Sequence, residues 1–167
     1  MKITYFLFLL FYIMNCSAQV NNEAQYIKED CFEGYIFAKE NVKDADWMPF
    51  NDMKEKYTPS VSDIIMAERI LKEQLGKINK KTLMNQGKGC PIIHRKLSRY
   101  KRQYFGYINK SGEKIIWINF IWDKKKDSLK WWNTEVIYIL DGCSYFWNIK
   151  VNLSTENLFE LIVNGSA

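Results

Sequence analysis

Three regimes of hydropathy divide the chain. Ile3 to Met14 is an uncharged apolar run, residues 58–76 place apolar side chains at three- and four-residue spacing, and from Gln103 onward apolar and polar positions alternate. The middle regime predicts a helix from Pro59 to Leu75. Thr58 serves as N-cap, and Pro59 takes the first helical position, where a missing N–H costs nothing. Val61, Ile64, Ile65, Ile70, Leu71 and Leu75 fall mainly on one stripe, Glu68 and Lys72 form an i,i+4 pair, and Gly76 stops the helix. Lys77 to Pro91 has no apolar period and reads as a loop, followed by one or two helical turns between Ile92 and Ser98.

The alternating regime predicts strands at Gln103–Asn109, Lys114–Trp122, Glu135–Leu140, Tyr145–Leu153 and Leu158–Val163. Lys110-Ser111-Gly112, Asp123 to Lys130, Asp141-Gly142 and Ser154 to Asn157 supply the connections. Connections this short join antiparallel neighbours, because parallel ones need a crossover of a dozen or more residues. The expected fold is therefore α+β, with one main N-terminal helix packed on a four- or five-stranded antiparallel meander. Tyr145, Trp147, Ile149 and Val151 point to the helix, and Phe146, Asn148, Lys150 and Asn152 point away. The strand at Lys114–Trp122 is apolar on both faces, so its second face must be covered, either by the segment from Gly34 to Phe50 or by a ligand or partner.

Composition changes this picture at the N-terminus. Lys2 followed by the apolar run and by the small residues up to Ala18 reads as a secretory signal peptide cleaved after Ala18, with lipidation of Cys16 as the alternative. Nothing else in the chain approaches the roughly 20 apolar residues of a spanning helix. The expected organisation is a signal peptide (1–18), an acidic lead-in (19–56) with one strand at Gly34–Ala38 and an apolar knot at Trp47-Met48-Pro49-Phe50, and a single α+β domain (57–167). Export places the product in the periplasm, at the cell surface or outside the cell. An oxidising compartment permits disulfides, and the three remaining cysteines, Cys31, Cys90 and Cys143, allow one bridge and one free thiol, or no bridge.

Thr58-Pro59, Ile64 to Glu68, Tyr100-Lys101-Arg102-Gln103-Tyr104, Gly106 to Asn109, Asp141-Gly142 and the terminal Val163-Asn164-Gly165-Ser166-Ala167 together resemble a group of small exported proteins of Bacteroidota-type bacteria. In that group the turn tends to read Asp-Gly-Gly with a later cysteine, where this chain has Asp141-Gly142-Cys143. The helix-then-meander order is similar to cystatin-like and PepSY-like folds. The resemblance implies a cystatin-like two-layer sandwich that binds or inhibits other proteins.

Charge is strongly patterned. Between Glu73 and Glu113 there are ten Lys and Arg residues and no acid, whereas Glu23 to Glu73 carries twelve acids and seven bases. Lys96, Arg99, Lys101 and Arg102, interleaved with Tyr100 and Tyr104, are the candidate contacts for an anionic ligand, through charge-assisted hydrogen bonds and flat ring surface. A solvated basic face that complements the acidic lead-in is the plainer reading.

Catalytic motifs are absent: no Gly-x-Ser-x-Gly, no phosphate-binding loop, no His-Glu-x-x-His and no Cys-x-x-Cys. A single histidine, His94, excludes multi-histidine metal sites, and no cofactor is implied. Cys90 with His94 is the one candidate thiol pair, Asp123, Asp127 and Glu135 are the candidate carboxylates, and Trp131 with Trp132 is the candidate sugar platform. The expected function is an exported, non-enzymatic binding or interaction domain for an envelope protein or an anionic ligand, with nucleic acid excluded as a partner. A small secreted enzyme using Cys90 and His94, or acting on glycans, is the alternative.

Overall fold

The computed structural model describes residues 24–42, 50–122 and 131–165. The expected signal peptide with Ala18 and Cys16, residues 47–49 of the apolar knot, and the loop bearing Asp123 and Asp127 lie outside the described residues. The strands are β1 (Gln25–Glu29), β2 (Phe32–Ile36), β3 (Met53–Tyr57), β4 (Lys101–Asn109), β5 (Lys114–Ile121), β6 (Phe146–Asn152) and β7 (Asn157–Val163), and the helix is α1 (Val61–Asn79).

The fold is α+β, but it is not a helix on a four- or five-stranded meander. Among the described residues, seven strands form one mixed sheet in the order β1-β2-β4-β5-β6-β7, with β3 also paired to β4. Three of them come from the lead-in. β2 runs parallel to the first half of β4, from Glu33 opposite Lys101 to Ile36 opposite Tyr104. β3 runs antiparallel to the second half, from Tyr57 opposite Gly106 to Met53 opposite Asn109. The crossover that a parallel pair requires is α1 itself together with the loop after it. Gly34 marks the closest approach in this pairing, since a Cβ there would stand 2.4 Å from the backbone oxygen of Arg102.

Glu135–Leu140 is not a strand, because β5 and β6 pair directly with each other from Ile115–Asn152 to Ile121–Phe146. The segment instead crosses the sheet face, and its backbone is satisfied by two buried amides. Gln103 Nε2 donates to the oxygens of Trp132 (2.9 Å) and Glu135 (2.7 Å), and Gln103 Oε1 accepts from Ile137 N at 2.9 Å. Asn119 Nδ2 donates to the Ile137 oxygen at 2.6 Å.

α1 starts two residues later than Thr58 predicts. Ser60 is the N-cap, in a reciprocal box with Asp63: Asp63 N donates to Ser60 Oγ (3.1 Å) and Ser60 N to Asp63 Oδ2 (3.0 Å). The helix also runs past Gly76 to Asn79, whose buried side chain anchors the last turn to the following loop. Beyond the loop, two 3-10 turns, Ile93–Arg95 and Leu97–Arg99, lead into β4.

The sheet separates two cores. On one face Ile64, Ala67, Ile70, Leu71 and Leu75 of α1 pack on Ile116, Ile118, Phe120, Trp147, Ile149 and Val151. On the other, Phe105, Tyr107, Ile115 and Trp117 are covered by the chain's own Phe37, Val42 and Phe50. The Phe50 ring lies 5.0 to 5.6 Å from those of Phe105, Tyr107 and Trp117.

Candidate functional site

A groove of about 670 Å³ opens between α1, the turn from β1 to β2 and the two 3-10 turns. Its volume is in the range of small-ligand and peptide sites. Phe32, Ile65, Leu75 and Leu97 make its walls mainly apolar, and Glu68 and Arg102 line its floor. The floor follows from periodicity. Glu68 falls inside the apolar stripe Ile64, Leu71, Leu75 of α1, and Arg102 shares the inward parity of Tyr100 and Tyr104, so the fold drives a carboxylate and a guanidinium against each other.

Arg102 Nε stands 2.7 Å from Glu68 Oε1, with both side chains over nine-tenths buried. Nη1 donates to the Tyr100 oxygen (2.7 Å) and Nη2 to the Leu97 oxygen (3.3 Å), while the rings of Phe32 and Phe120 lie 5.6 and 5.3 Å from Cζ. Nη1 and Nη2 are thus satisfied by backbone oxygens, while Nε is held to Glu68 by charge and proximity, without hydrogen-bond geometry. Tyr104 donates its hydroxyl to Glu68 Oε1 at 2.8 Å. Burial pushes the Glu68 carboxyl above its ordinary range, against the opposing pull of Arg102 and of these hydrogen bonds.

A polar network sets the side of the groove at the end of α1. Ile93 N donates to Gln86 Oε1 at 3.0 Å, which fixes the orientation of that amide. Gln86 Nε2 then donates to Asn79 Oδ1 (2.6 Å), so Asn79 Nδ2 is a donor, to Gln86 Oε1 and to His94 Nδ1, each at 2.8 Å. His94 Nδ1 accepts, and its proton belongs on Nε2. Burial first, then the charges of Arg95 and Lys80, hold the imidazole below its ordinary pKa, in keeping with the neutral form.

Cys90 is bonded to Cys143, so neither supplies a thiolate, and the thiol mechanism drawn from Cys90 and His94 falls. The bridge fastens the loop that carries both 3-10 turns to the start of β6. Closing a loop over a separation of 53 residues stabilises the fold by about 4 kcal/mol through the unfolded chain. Ser144 Oγ to the Pro91 oxygen and Tyr100 Oη to the Ser144 oxygen (2.7 Å) tighten the same junction. Cys31 is the free thiol among the described residues, exposed on the groove's rim.

The structure distributes the basic cluster rather than gathering it. Tyr100, Arg102 and Tyr104 are buried on the α1 side. Lys101 points to the opposite face, 4.8 Å over the Trp132 ring, and Lys96 and Arg99 are exposed on the 3-10 turns. Trp131 is exposed, but Trp132 packs edge-on against Tyr35 at 4.4 Å, so the two do not form one flat platform. Among the described residues no three His, Cys, Asp or Glu side chains are placed to hold a metal, and no helix is long and apolar enough to cross a membrane.

Sequence reasoning left out Phe32, Leu97 and Glu68 as groove residues. The first two carry no sequence signal as a pair, because only the parallel β2–β4 pairing brings them together. Glu68 does carry one: an acid within an apolar helical stripe needs a buried partner.

Fold and site define an α+β domain with a mixed seven-stranded sheet and an apolar groove, floored by a buried ion pair, between the helix and an edge hairpin. No known protein family, curated protein or solved structure matches the chain.

Proposed function

We propose that the chain is an exported, non-enzymatic binding domain and that the groove beneath α1 is where it holds an anionic, partly apolar group. Export is supported by the apolar run near Lys2 and by the Cys90–Cys143 bridge, which an oxidising compartment permits. The observation that carries the site is the pairing of apolar walls with two cations on the rim, Lys72 and Arg95, that make no ion pair or side-chain hydrogen bond among the described residues. Arg69, by contrast, is already engaged by Glu156 at 2.8 Å and Glu73 at 3.5 Å. Arg102 acts from below as a positioning residue, fixing Leu97 and Glu68 rather than touching the ligand.

Cys31 supplies the readout. In a Cys16→Ser background it is the one thiol outside the disulfide, and a ligand in the groove shields it from alkylation. The probe is the acidic peptide acetyl-Leu-Phe-Leu-Glu-Glu. It is expected to slow alkylation of Cys31 in a saturable, salt-sensitive way, and the double reversal Lys72→Glu with Arg95→Glu is expected to abolish the protection while leaving the thermal midpoint in place. Equal protection in both proteins, or none in either, contradicts the reading.

A further inference from the structure

The groove's rim is dipolar. Beside Lys72 on α1 and Arg95 on the first 3-10 turn, a third element of the groove, the end of β1 and its turn to β2, brings Glu29 and Asp30, both exposed. None of these four makes an ion pair or side-chain hydrogen bond among the described residues, although opposite signs line one trough. The walls between them are apolar. This is the complementary image of an occupant that carries a cation at one end, an apolar centre and an anion at the other.

We infer that the occupant is a segment of another polypeptide, with one or two apolar side chains seated against Phe32, Leu75 and Leu97, a basic side chain toward Glu29 and Asp30, and an acidic one toward Lys72 and Arg95. The inference rests on the proposed binding function and narrows its ligand. A fatty acid, a phosphate or an acidic polysaccharide answers only the basic rim and sets its own charge against the two acids. A polypeptide supplies all three chemistries within a few residues. The buried floor adds rigidity: Arg102 is clamped by Glu68, Tyr100 and Leu97, so the trough is pre-formed, which reduces the ordering cost of binding.

The experiment compares three N-acetylated probes by Cys31 protection in the full chain bearing Cys16→Ser. One carries only acids after a Leu-Phe-Leu centre, one only lysines, and one carries lysines on one side and glutamates on the other, each made in both chain directions with the tighter one counted. The two-sign peptide is expected to bind about fivefold tighter than the acid-only peptide, the size of gain that exposed ion pairs provide. Glu29→Lys with Asp30→Lys is expected to remove that advantage and leave acid-only binding intact. Glu29→Gln with Asp30→Asn gives the same loss without a reversed charge. Equal affinity of the two peptides for the wild type, or an advantage that survives both variants, overturns this inference and leaves the anionic reading standing. Failure of every peptide overturns both. Protection by anionic phospholipid vesicles that matches the two-sign peptide also overturns it, in favour of a membrane surface.

Discussion

The two faces of the sheet each bury a cation among aromatic rings, and they do so to opposite ends. Under α1, Arg102 lies between Phe32 and Phe120 with Glu68 as its partner, and both charges are withdrawn from water beneath an open groove. On the far face, Lys150 lies about 6 Å from the rings of Phe50, Tyr107 and Phe159, but its acids, Glu160 at 2.6 Å and Asp52 at 3.6 Å, remain in contact with solvent. Phe37, Val42 and Phe50 cover the centre of that face, whereas the α1 side keeps its trough and a rim whose Lys72 and Arg95 make no ion pair among the described residues. The same chemistry thus lies beneath the chain's own cover on one side and floors a groove on the other.

The sharpest way to break the comparison is at Arg102. Its loss leaves Glu68 buried without its cation, so Arg102→Ala is expected to cost about 3 to 5 kcal/mol in denaturant titration. Glu68→Gln costs far less, because Arg102 retains two backbone carbonyls and two rings. pH sharpens this asymmetry. The folded-state pKa of Glu68 is raised, so its contribution is fully present below the ordinary carboxylate range and is lost as pH rises through the folded value. Wild type should therefore lose stability relative to Glu68→Gln as pH rises across that window. A gain relative to Glu68→Gln would mean that the ion pair outweighs burial.

The next effect concerns the helix that roofs the trough. Leu71 is fully buried, and Leu71→Ala is expected to cost about 2 to 5 kcal/mol through lost contacts and a cavity. Lys72, one residue on and exposed on the rim, should tolerate Ala without a measurable midpoint shift. Equal shifts for the two would place the wrong face of α1 inward.

The smallest effect lies on the closed side. Glu160→Gln leaves Lys150 with Asp52 and with a second acid lost only from solvent-exposed space, so the expected cost is about 0.5 to 1 kcal/mol. A cost comparable to that of Arg102→Ala would make the two charge sites equivalent and end the contrast.

How far the sequence exposed this architecture depended on where each segment's partners lie. α1 and strands β4 to β7 stand within a few residues of where periodicity places them, because each has a local pattern that matches its burial. β1 and β3 do not announce themselves: Gln-Tyr-Ile-Lys-Glu buries only Ile27, and Met-Lys-Glu-Lys-Tyr is mostly polar, so neither alternates strongly. β3 takes the half of the β4 edge that β2 leaves open, and β1 adds to the outer edge of β2. Glu135–Leu140 has strand-like alternation yet meets no ladder, since Gln103 and Asn119 take its backbone groups. The basic cluster was visible as charge, but a strand sends Lys101 and Arg102 to opposite faces, so one run of sequence serves two surfaces. The groove's acids, Glu29 and Asp30, are some forty residues from Lys72 and more than sixty from Arg95 along the chain, and only the β2–β4 pairing sets them across one trough.

His94 is the chain's single histidine, so its imidazole gives one unambiguous set of nitrogen and carbon resonances inside the groove. Long-range nitrogen–proton correlation spectra of the full chain, recorded while the two-sign peptide is titrated in, test the central claim most directly. An Nε2–H tautomer is expected in the free protein, and amide spectra from the same titration are expected to shift at His94, Phe32, Leu75 and Leu97 and along the rim at Glu29, Asp30, Cys31, Lys72 and Arg95. Shifts at Phe50 and Trp117, or at the exposed Tyr138, Leu140 and Ile162, with His94 unmoved, would contradict it.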